Sequence, residues 1–126
     1  MSTHSTLGVQ MEDGTIIGCY VHYDGATMLG RIHEFLEEHT ATDLVILITR
    51  AQSTGGMRSF YSTGLHGELP ETNYLDDNES YVIDETNFHE DHMGTYAWYL
   101  VNYKDSTCAV KDQANGPWLN IGDIHG

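Results

Sequence analysis

Hydrophobic and polar positions change their period several times along the chain, and each change marks an element. LGVQM (7–11) and TIIGCYVHY (15–23) are typical of short strands, with the turn Glu12-Asp13-Gly14 between them. Asp-Gly between two strand-like runs is a strong hairpin signal, because glycine accepts the positive φ that such turns need. The sequence therefore predicts that the fold begins with a β-hairpin.

The second of these strands is partly apolar on both faces. Its alternating residues are Ile17, Cys19, Val21 and Tyr23 on one face, and Ile16, Gly18, Tyr20 and His22 on the other. A strand with two partly apolar faces is expected inside a sheet and not at its edge.

A helical period follows this strand. Asp24 or Thr27 is expected to cap the helix, and the apolar positions Met28, Leu29, Ile32, Phe35 and Leu36 then recur at helical spacing. This pattern predicts an amphipathic helix that packs on the sheet. DLVILITR (43–50) is interpreted as a second helix beginning at Thr40 or Thr42. A buried strand remains an alternative, since the period of a short apolar run does not separate the two.

The second half of the sequence predicts one further hairpin. AQSTGG (51–56) is typical of a loop, and MRSFYS (57–62) is ambiguous. TYAWYLVNY (95–103) and TCAVK (107–111) are typical of strands joined by a turn at residues 104–106. The order of strands, helices and strands predicts one α+β domain, with an antiparallel sheet, one or two helices packed on it and a C-terminal hairpin.

Charge limits the classes of partner. The 126 residues include 19 acidic and 5 basic side chains, a net charge of −14, and nine of the acids lie between Arg58 and Lys104, where no base occurs. Five bases neutralise few phosphates, so a nucleic acid polymer is not an expected partner. The acidic middle, 68–91, is either a solvated loop region or a surface that imitates nucleic-acid phosphates and attracts a basic protein.

Neither a membrane nor an export route is expected. The longest apolar run, LVILI (44–48), is too short to span a bilayer, and the start MSTHSTLG lacks the pattern of a secretory signal. The protein is therefore expected in the cytoplasm, with Cys19 and Cys108 as reduced thiols. Both cysteines lie in apolar strand segments, where a thiol has a raised pKa and is a poor nucleophile.

No metal, cofactor or catalytic residue is expected. His89 and His92 lie three residues apart in FHEDHMG (88–94), beside a Met-Gly pair that disfavours a rigid helix. No cysteine lies nearby, and the HExxH pattern of zinc proteases is absent. Solvated loop histidines are the expected interpretation.

Cations are scarce, and two of them lie close together in sequence. Arg50 and Arg58 bracket the Gly-rich stretch STGG (53–56), which lacks the Gly-Lys-Ser/Thr ending of a P-loop. An anion has few other places to bind in so acidic a chain. We expect Arg58, helped by Arg50 or Lys104, to hold the phosphates of a small nucleotide.

Aromatic residues complete this candidate site. Phe60 or Trp98 is expected to stack on a base, and Asn102 shares the strand face of Trp98 and is expected to hydrogen-bond a base edge or ribose. The candidate ligand-binding residues are Arg58, Arg50, Asn102, Lys104, Phe60 and Trp98.

Three motifs carry a resemblance to known proteins. MSTHS at the start, EDGTIIGCYVH (12–22) and the Asp-Gly pair 24–25 resemble a family of small bacteriophage proteins with a strand–DGT–strand and a Tyr-x-His-Trp-Asp-Gly element. Tyr23 stands at the tryptophan position. Residues 95–110 resemble the aromatic late hairpin of the family, whereas its basic Gly-Arg-Asp-Arg-Gly-Glu stretch has no counterpart here.

The chain is also similar to the Thoeris anti-defence sponge proteins of phages. Those are oligomeric α+β proteins that sequester cyclic ADP-ribose or cyclic-nucleotide immune signals without cleaving them. The resemblance implies a non-catalytic, cytoplasmic anti-defence protein, at least dimeric, in which Arg58 contacts phosphate and Asn102 a base or ribose. An acidic DNA-mimic-like inhibitor of a host defence protein and a small nucleotide hydrolase are the alternatives.

Overall fold

The part of the chain that the computed structural model describes contains seven strands and two helices. That part comprises residues 4–22, 28–59, 73–74, 83, 87–90, 95–113 and 116–120. In chain order the elements are β1 (Ser5–Gln10), β2 (Ile16–Val21), α1 (Met28–Glu38), α2 (Ala41–Thr54), β3 (Met57–Ser59), β4 (Asn73–Tyr74), β5 (Ala97–Asn102), β6 (Cys108–Lys111) and β7 (Leu119–Asn120).

The strands form one mixed sheet in the order β4-β3-β2-β1-β5-β6-β7. Four neighbouring pairs are antiparallel, which confirms the predicted α+β class and the C-terminal hairpin of β5 and β6. The pairs β2–β3 and β1–β5 are parallel. The β2–β3 pair is parallel because α1 and α2 connect the two strands and return the chain to the end of the sheet where β2 began.

The first hairpin has the predicted turn. Gly14 adopts φ +90°, and the backbone N–H of Thr15 donates to Oδ1 of Asp13 at 2.9 Å. The strands pair from Gln10 opposite Ile16 to Ser5 opposite Val21. This register directs the two alternating residue sets of β2 to opposite faces of the sheet, as predicted.

The apolar run 43–50 forms part of helix α2, not a strand. Thr40 is its N-cap: Oγ1 of Thr40 accepts from the backbone N–H of Asp43 at 3.2 Å, and Oδ2 of Asp43 accepts from that of Thr40 at 3.1 Å. The loop predicted at 51–56 is wrong for its first four residues, because α2 continues to Thr54 and buries Ala51. Gly55, at φ +95°, ends the helix.

Both helices cover one face of the sheet, called the helix face. The buried core between the helices and the sheet consists of Leu7, Val9, Cys19, Val21, Met28, Ile32, Phe35, Ala41, Leu44, Leu47, Ile48, Ala51, Met57, Ala97, Tyr99, Val101 and Cys108. The other side, called the second face, carries a smaller cluster of Tyr20, Ile83, Phe88 and Trp98.

The predicted caps Asp24 and Thr27 lie outside the described residues, as does the end of MRSFYS beyond residue 59. Neither α1 nor α2 has the length and apolar character needed to cross a membrane, which is a statement about the described ranges.

Candidate functional site

Five residues lie side by side on the second face, one from each of five neighbouring segments. Tyr20 on β2 pairs with Thr6 on β1, Thr6 with Trp98 on β5, and Trp98 with Lys111 on β6. Trp118 directly precedes β7, where continuation of the register from Val110–Leu119 brings it opposite Lys111. These five residues are called the cross-strand row.

The row runs from the interior of the protein to its surface. Tyr20 and Thr6 are fully buried, Trp98 is 1% exposed and Lys111 4%, whereas Trp118 is 37% exposed. A lysine this buried is uncommon, because its charge loses hydration. Burial lowers the pKa of the Lys111 ammonium. The row therefore places a desolvated cation at the edge of an aromatic surface.

Three rings surround the Lys111 ammonium. Its Nζ lies 4.8 Å from the ring centre of Trp118 and 5.5 Å from that of Trp98, both within the range of cation–π attraction. Nζ also lies 2.6 Å from Nδ1 of His89. An ammonium only donates, so Nδ1 accepts and the neutral imidazole carries its hydrogen on Nε2. Burial and, second, the Lys111 charge lower the pKa of His89, which keeps this ring neutral.

Phe88 holds His89 in this position. Gly8 and Gly18 face each other across β1 and β2, and the Phe88 ring lies over them. A Cβ at Gly8 would lie 2.5 Å from Cε1 of Phe88, and one at Gly18 would lie 2.8 Å from its Cδ1. Two facing glycines thus form a shallow notch that fits one ring. Because Phe88 is fully buried there, the neighbouring imidazole is directed towards Lys111.

The inner end of the row is a histidine–tyrosine–histidine cluster. The Tyr20 hydroxyl lies 2.8 Å from Nδ1 of His4 and 2.8 Å from Nδ1 of His22. Nδ1 of His4 also lies 3.0 Å from the carbonyl oxygen of His22, which only accepts, so His4 carries its hydrogen on Nδ1. Tyr20 then donates its single proton to His22. The cluster joins the ends of β1 and β2 at the second face.

Two side chains of the row have unpaired polar atoms. Within the described part of the chain, Oγ1 of Thr6 and Nε1 of Trp98 are buried without a hydrogen-bond partner. The two residues are direct neighbours in the register of β1 and β5. Oγ of Ser5 is also unpaired, but it belongs to the helix face, where Ser5 pairs with Val21 and Ala97.

Two of the predicted ligand-binding residues, Trp98 and Asn102, lie on β5. Trp98 lies in the cross-strand row and is almost fully buried, so stacking on it requires its cover to move. Asn102 shares this face, four residues or about 13 Å along β5. Its Oδ1 accepts from the backbone N–H of Lys104 at 2.9 Å and so supports the predicted β5–β6 turn.

The two cations predicted as alternative helpers of Arg58, Arg50 and Lys104, lie far apart. Arg50 is exposed on α2, in the layer that covers the helix face. The turn that holds Lys104 lies at the other end of α2, where the hydroxyls of Thr42 and Tyr103 are 2.9 Å apart. Eight residues of helix, about 12 Å, separate Thr42 from Arg50. The side chain of Arg58, on β3, and the whole of Phe60 lie outside the described residues, and their predicted roles stay predictions.

The Gly-rich stretch STGG has a different role from the anion loop that its composition suggested. Ser53 and Thr54 belong to the last turn of α2, and Gly55 is its C-cap. The backbone N–H of Gly56 donates to the carbonyl oxygen of Ala51 at 2.8 Å. A helix C-terminus carries partial negative charge, which disfavours an anion there. A phosphate site built on this stretch has no support from the backbone geometry.

The two cysteines are unsuited to nucleophilic attack. Burial raises the pKa of Cys19 well above its usual range and that of Cys108 to about 12, so both thiols stay protonated. No group of three metal-ligating side chains is found among the residues that the structure describes, and His92 lies outside them. What the cross-strand row offers is hydrogen-bond donors, one cation and aromatic rings.

Sequence reasoning missed Lys111, His89 and Trp118 as one group. The signal was the register of the C-terminal hairpin, because Trp98 and Lys111 occupy directly opposite positions on β5 and β6. A one-residue shift of that register would place Lys111 on the other face. The turn sequence alone did not determine it. The pairing of Phe88 with the glycine notch left no periodic signal at all.

Comparison with protein-family models, with curated proteins and with solved structures finds no match to this chain.

Proposed function

We propose that the protein binds a small nucleotide immune signal, of the cyclic ADP-ribose or cyclic oligonucleotide type, and holds it unchanged as a phage anti-defence protein. One observation carries the proposal: the Lys111 ammonium lies 4.8 Å from the centre of the exposed Trp118 ring. A cation and a stackable ring in adjoining positions suit a phosphate and a nucleobase. The resemblance of residues 1–40 to phage proteins supplies the biological setting.

Sequestration without catalysis agrees with the chemistry of the row. Donors and rings hold a ligand, and both cysteines are buried and protonated. Tight capture needs several contacts together, since association itself costs free energy. A charge-assisted hydrogen bond contributes about 1.5–3 kcal/mol and stacking on one base about 1–3 kcal/mol. One cation and one ring together contribute about 2.5–6 kcal/mol, less than the roughly 8 kcal/mol of a micromolar site, so tight capture requires further contacts.

A homo-oligomer, at least a dimer, is part of the proposal. Among the described residues the large exposed hydrophobic side chains are Ile46, Tyr96 and Trp118. Tyr96 lies just before β5 and is 53% exposed, and like Trp118 it lies outside the helix layer. Sedimentation velocity at micromolar concentration measures the mass, and a purely monomeric profile overturns this part.

The test of ligand capture is native mass spectrometry of protein purified from cells that make candidate signals. The proposal expects a nucleotide bound in stoichiometric amount and recovered intact after incubation. Calorimetric titration of Trp118→Ala should then show affinity reduced about tenfold or more. Ile46→Ala is the matched control, because Ile46 is also 37% exposed but lies on α2.

Other outcomes select the alternatives. Release of a cleaved nucleotide indicates a hydrolase. Failure to bind any nucleotide, with capture of a basic host defence protein in a pull-down, indicates an acidic mimic, for which the net charge of −14 is the supporting observation. Arg58→Ala, measured in the same titration, tests the phosphate role that the sequence predicts for Arg58.

A further inference from the structure

We propose that Thr6, Trp98 and Lys111 form the floor of an oxyanion site for the ligand's phosphate, and that His89 and Trp118 are lid side chains which the phosphate displaces from Lys111. The proposal rests on the proposed function for the nucleotide part of the ligand. The anion site itself needs only the geometry of the cross-strand row.

Two unpaired donors lie in the floor of this site. Nε1 of Trp98 donates and cannot accept, and Oγ1 of Thr6 can also donate; both are buried without a partner in the described part of the protein. A buried polar group without a partner is unfavourable. The two lie in adjacent positions, and Lys111 is next in the row. Three neighbouring donors, one of them charged, are suited to an acceptor with several oxygens.

Lys111 makes its contact with a neutral ring, that of His89. A neutral imidazole nitrogen accepts from Nζ at 2.6 Å. A phosphate oxygen accepts from the same ammonium with full opposite charge, which makes a stronger bond, particularly where water is largely excluded. An oxyanion therefore competes well with His89 for Lys111. Its binding would also offset the desolvation that lowers the pKa of Lys111.

Phe88 and the lid side chains differ in burial. Phe88 is fully buried over Gly8 and Gly18, whereas its neighbour His89 is exposed and Trp118 is 37% exposed. Rotation of the His89 and Trp118 side chains would move these two rings away from Lys111 while Phe88 stays in its notch. The displaced indole remains beside the site, where it can stack on the base of the same ligand.

The experiment compares Thr6→Val with Ser5→Ala. Valine keeps the shape of threonine and removes the hydroxyl, whereas Ser5 carries the equivalent unpaired hydroxyl on the helix face. Titration uses inorganic pyrophosphate and a nucleotide panel of cyclic ADP-ribose and cyclic dinucleotides, and urea unfolding is measured in parallel. We expect Thr6→Val to bind both probes about tenfold more weakly, with unchanged or higher stability, and Ser5→Ala to bind as the wild type does. Trp98→Phe should weaken binding in the same direction.

Each outcome decides between site and function. If a nucleotide binds wild type and Thr6→Val equally, the function stands and the floor assignment is overturned. If only pyrophosphate binds, with Thr6-dependent affinity, the anion site stands and the nucleotide function falls. If Thr6→Val lowers stability without affecting affinity, the hydroxyl serves a buried water and not a ligand. Binding of neither probe overturns both proposals.

Discussion

The two faces of this sheet are built from the same strands and are covered in different ways. The helix face buries apolar side chains of β1, β2 and β5 beneath two complete helices. On the second face, Phe88 and Ile83 are the buried cover among the described residues, and that face retains a buried lysine and two unpaired donors. In the described ranges the helix face has one such unpaired atom, Oγ of Ser5, whereas the second face combines a buried cation with two unpaired donors in adjacent positions.

Because successive side chains of a strand point to opposite faces of the sheet, neighbouring residues of one strand belong to differently covered faces. On β5, Tyr99 contributes to the helix core, and its neighbours Trp98 and Leu100 face the other way. Substitutions one residue apart should therefore have separable effects. Helix-face changes should act mainly on stability, and second-face changes should act on ligand binding as well.

The largest effect is expected on the helix face. Leu47 is fully buried in the helix core, so Leu47→Ala should lower the free energy of unfolding by about 2–5 kcal/mol through lost contacts and a residual cavity. Urea unfolding measures this loss. The folded fraction of the Leu47→Ala protein should bind the ligand with the affinity of the wild type. A loss of affinity as large as that of Trp118→Ala would show that the two faces are not separable.

The next effect is expected at the glycine notch of the second face. A methyl group at Gly8 meets the Phe88 ring, so Gly8→Ala should lower the free energy of unfolding by about 1–3 kcal/mol. Gly30→Ala is the control, because Gly30 lies on α1 with no atom within 4 Å of an added Cβ, and alanine there should stabilise the helix by up to about 1 kcal/mol. Equal changes in the free energy of unfolding of Gly8→Ala and Gly30→Ala would contradict the packing of Phe88 against Gly8.

A smaller effect is expected from pH. Burial and the Lys111 charge lower the pKa of His89 below its ordinary 6.5, so the unfolded chain binds the proton more readily than the folded one. The contribution of His89 is therefore present above pH 6.5 and is lost as the pH falls through the lowered pKa. His89→Asn keeps an acceptor near the Nδ1 position without this titration. Urea midpoints at pH 7.5 and pH 5 should differ less in His89→Asn, and an identical pH response would argue against the Lys111–His89 contact.

Sequence reasoning was sufficient wherever a local period or a turn carried the information. Alternation assigned Cys19 and Tyr20 to opposite faces, and Asp13-Gly14 marked the first turn. Sequence reasoning was insufficient at the end of α2, where residues 51–54 have a composition typical of a loop. Packing of Ala51 against the core and the cap at Gly55 extend the helix there, and neither is a local signal.

The candidate site was harder to predict because it depends on pairing between distant segments. Trp98 was among the predicted residues, but its neighbours Lys111, His89 and Trp118 come from three other segments. Grouping Arg50 with Arg58 relied on closeness in sequence. Arg50 lies near the end of α2 and Arg58 on β3, with the Arg58 side chain outside the described residues, so their shared site stays a prediction.

The most direct measurement is calorimetric titration of the captured nucleotide into wild type, Lys111→Gln and Lys104→Gln. Glutamine removes one charge in both variants, but Lys111 lies in the cross-strand row and Lys104 in the exposed β5–β6 turn. The account predicts that Lys111→Gln weakens binding about tenfold or more and that Lys104→Gln leaves it within about twofold. Equal affinities for Lys111→Gln and wild type, or a larger loss in Lys104→Gln, would contradict the claim that the second face is the ligand site.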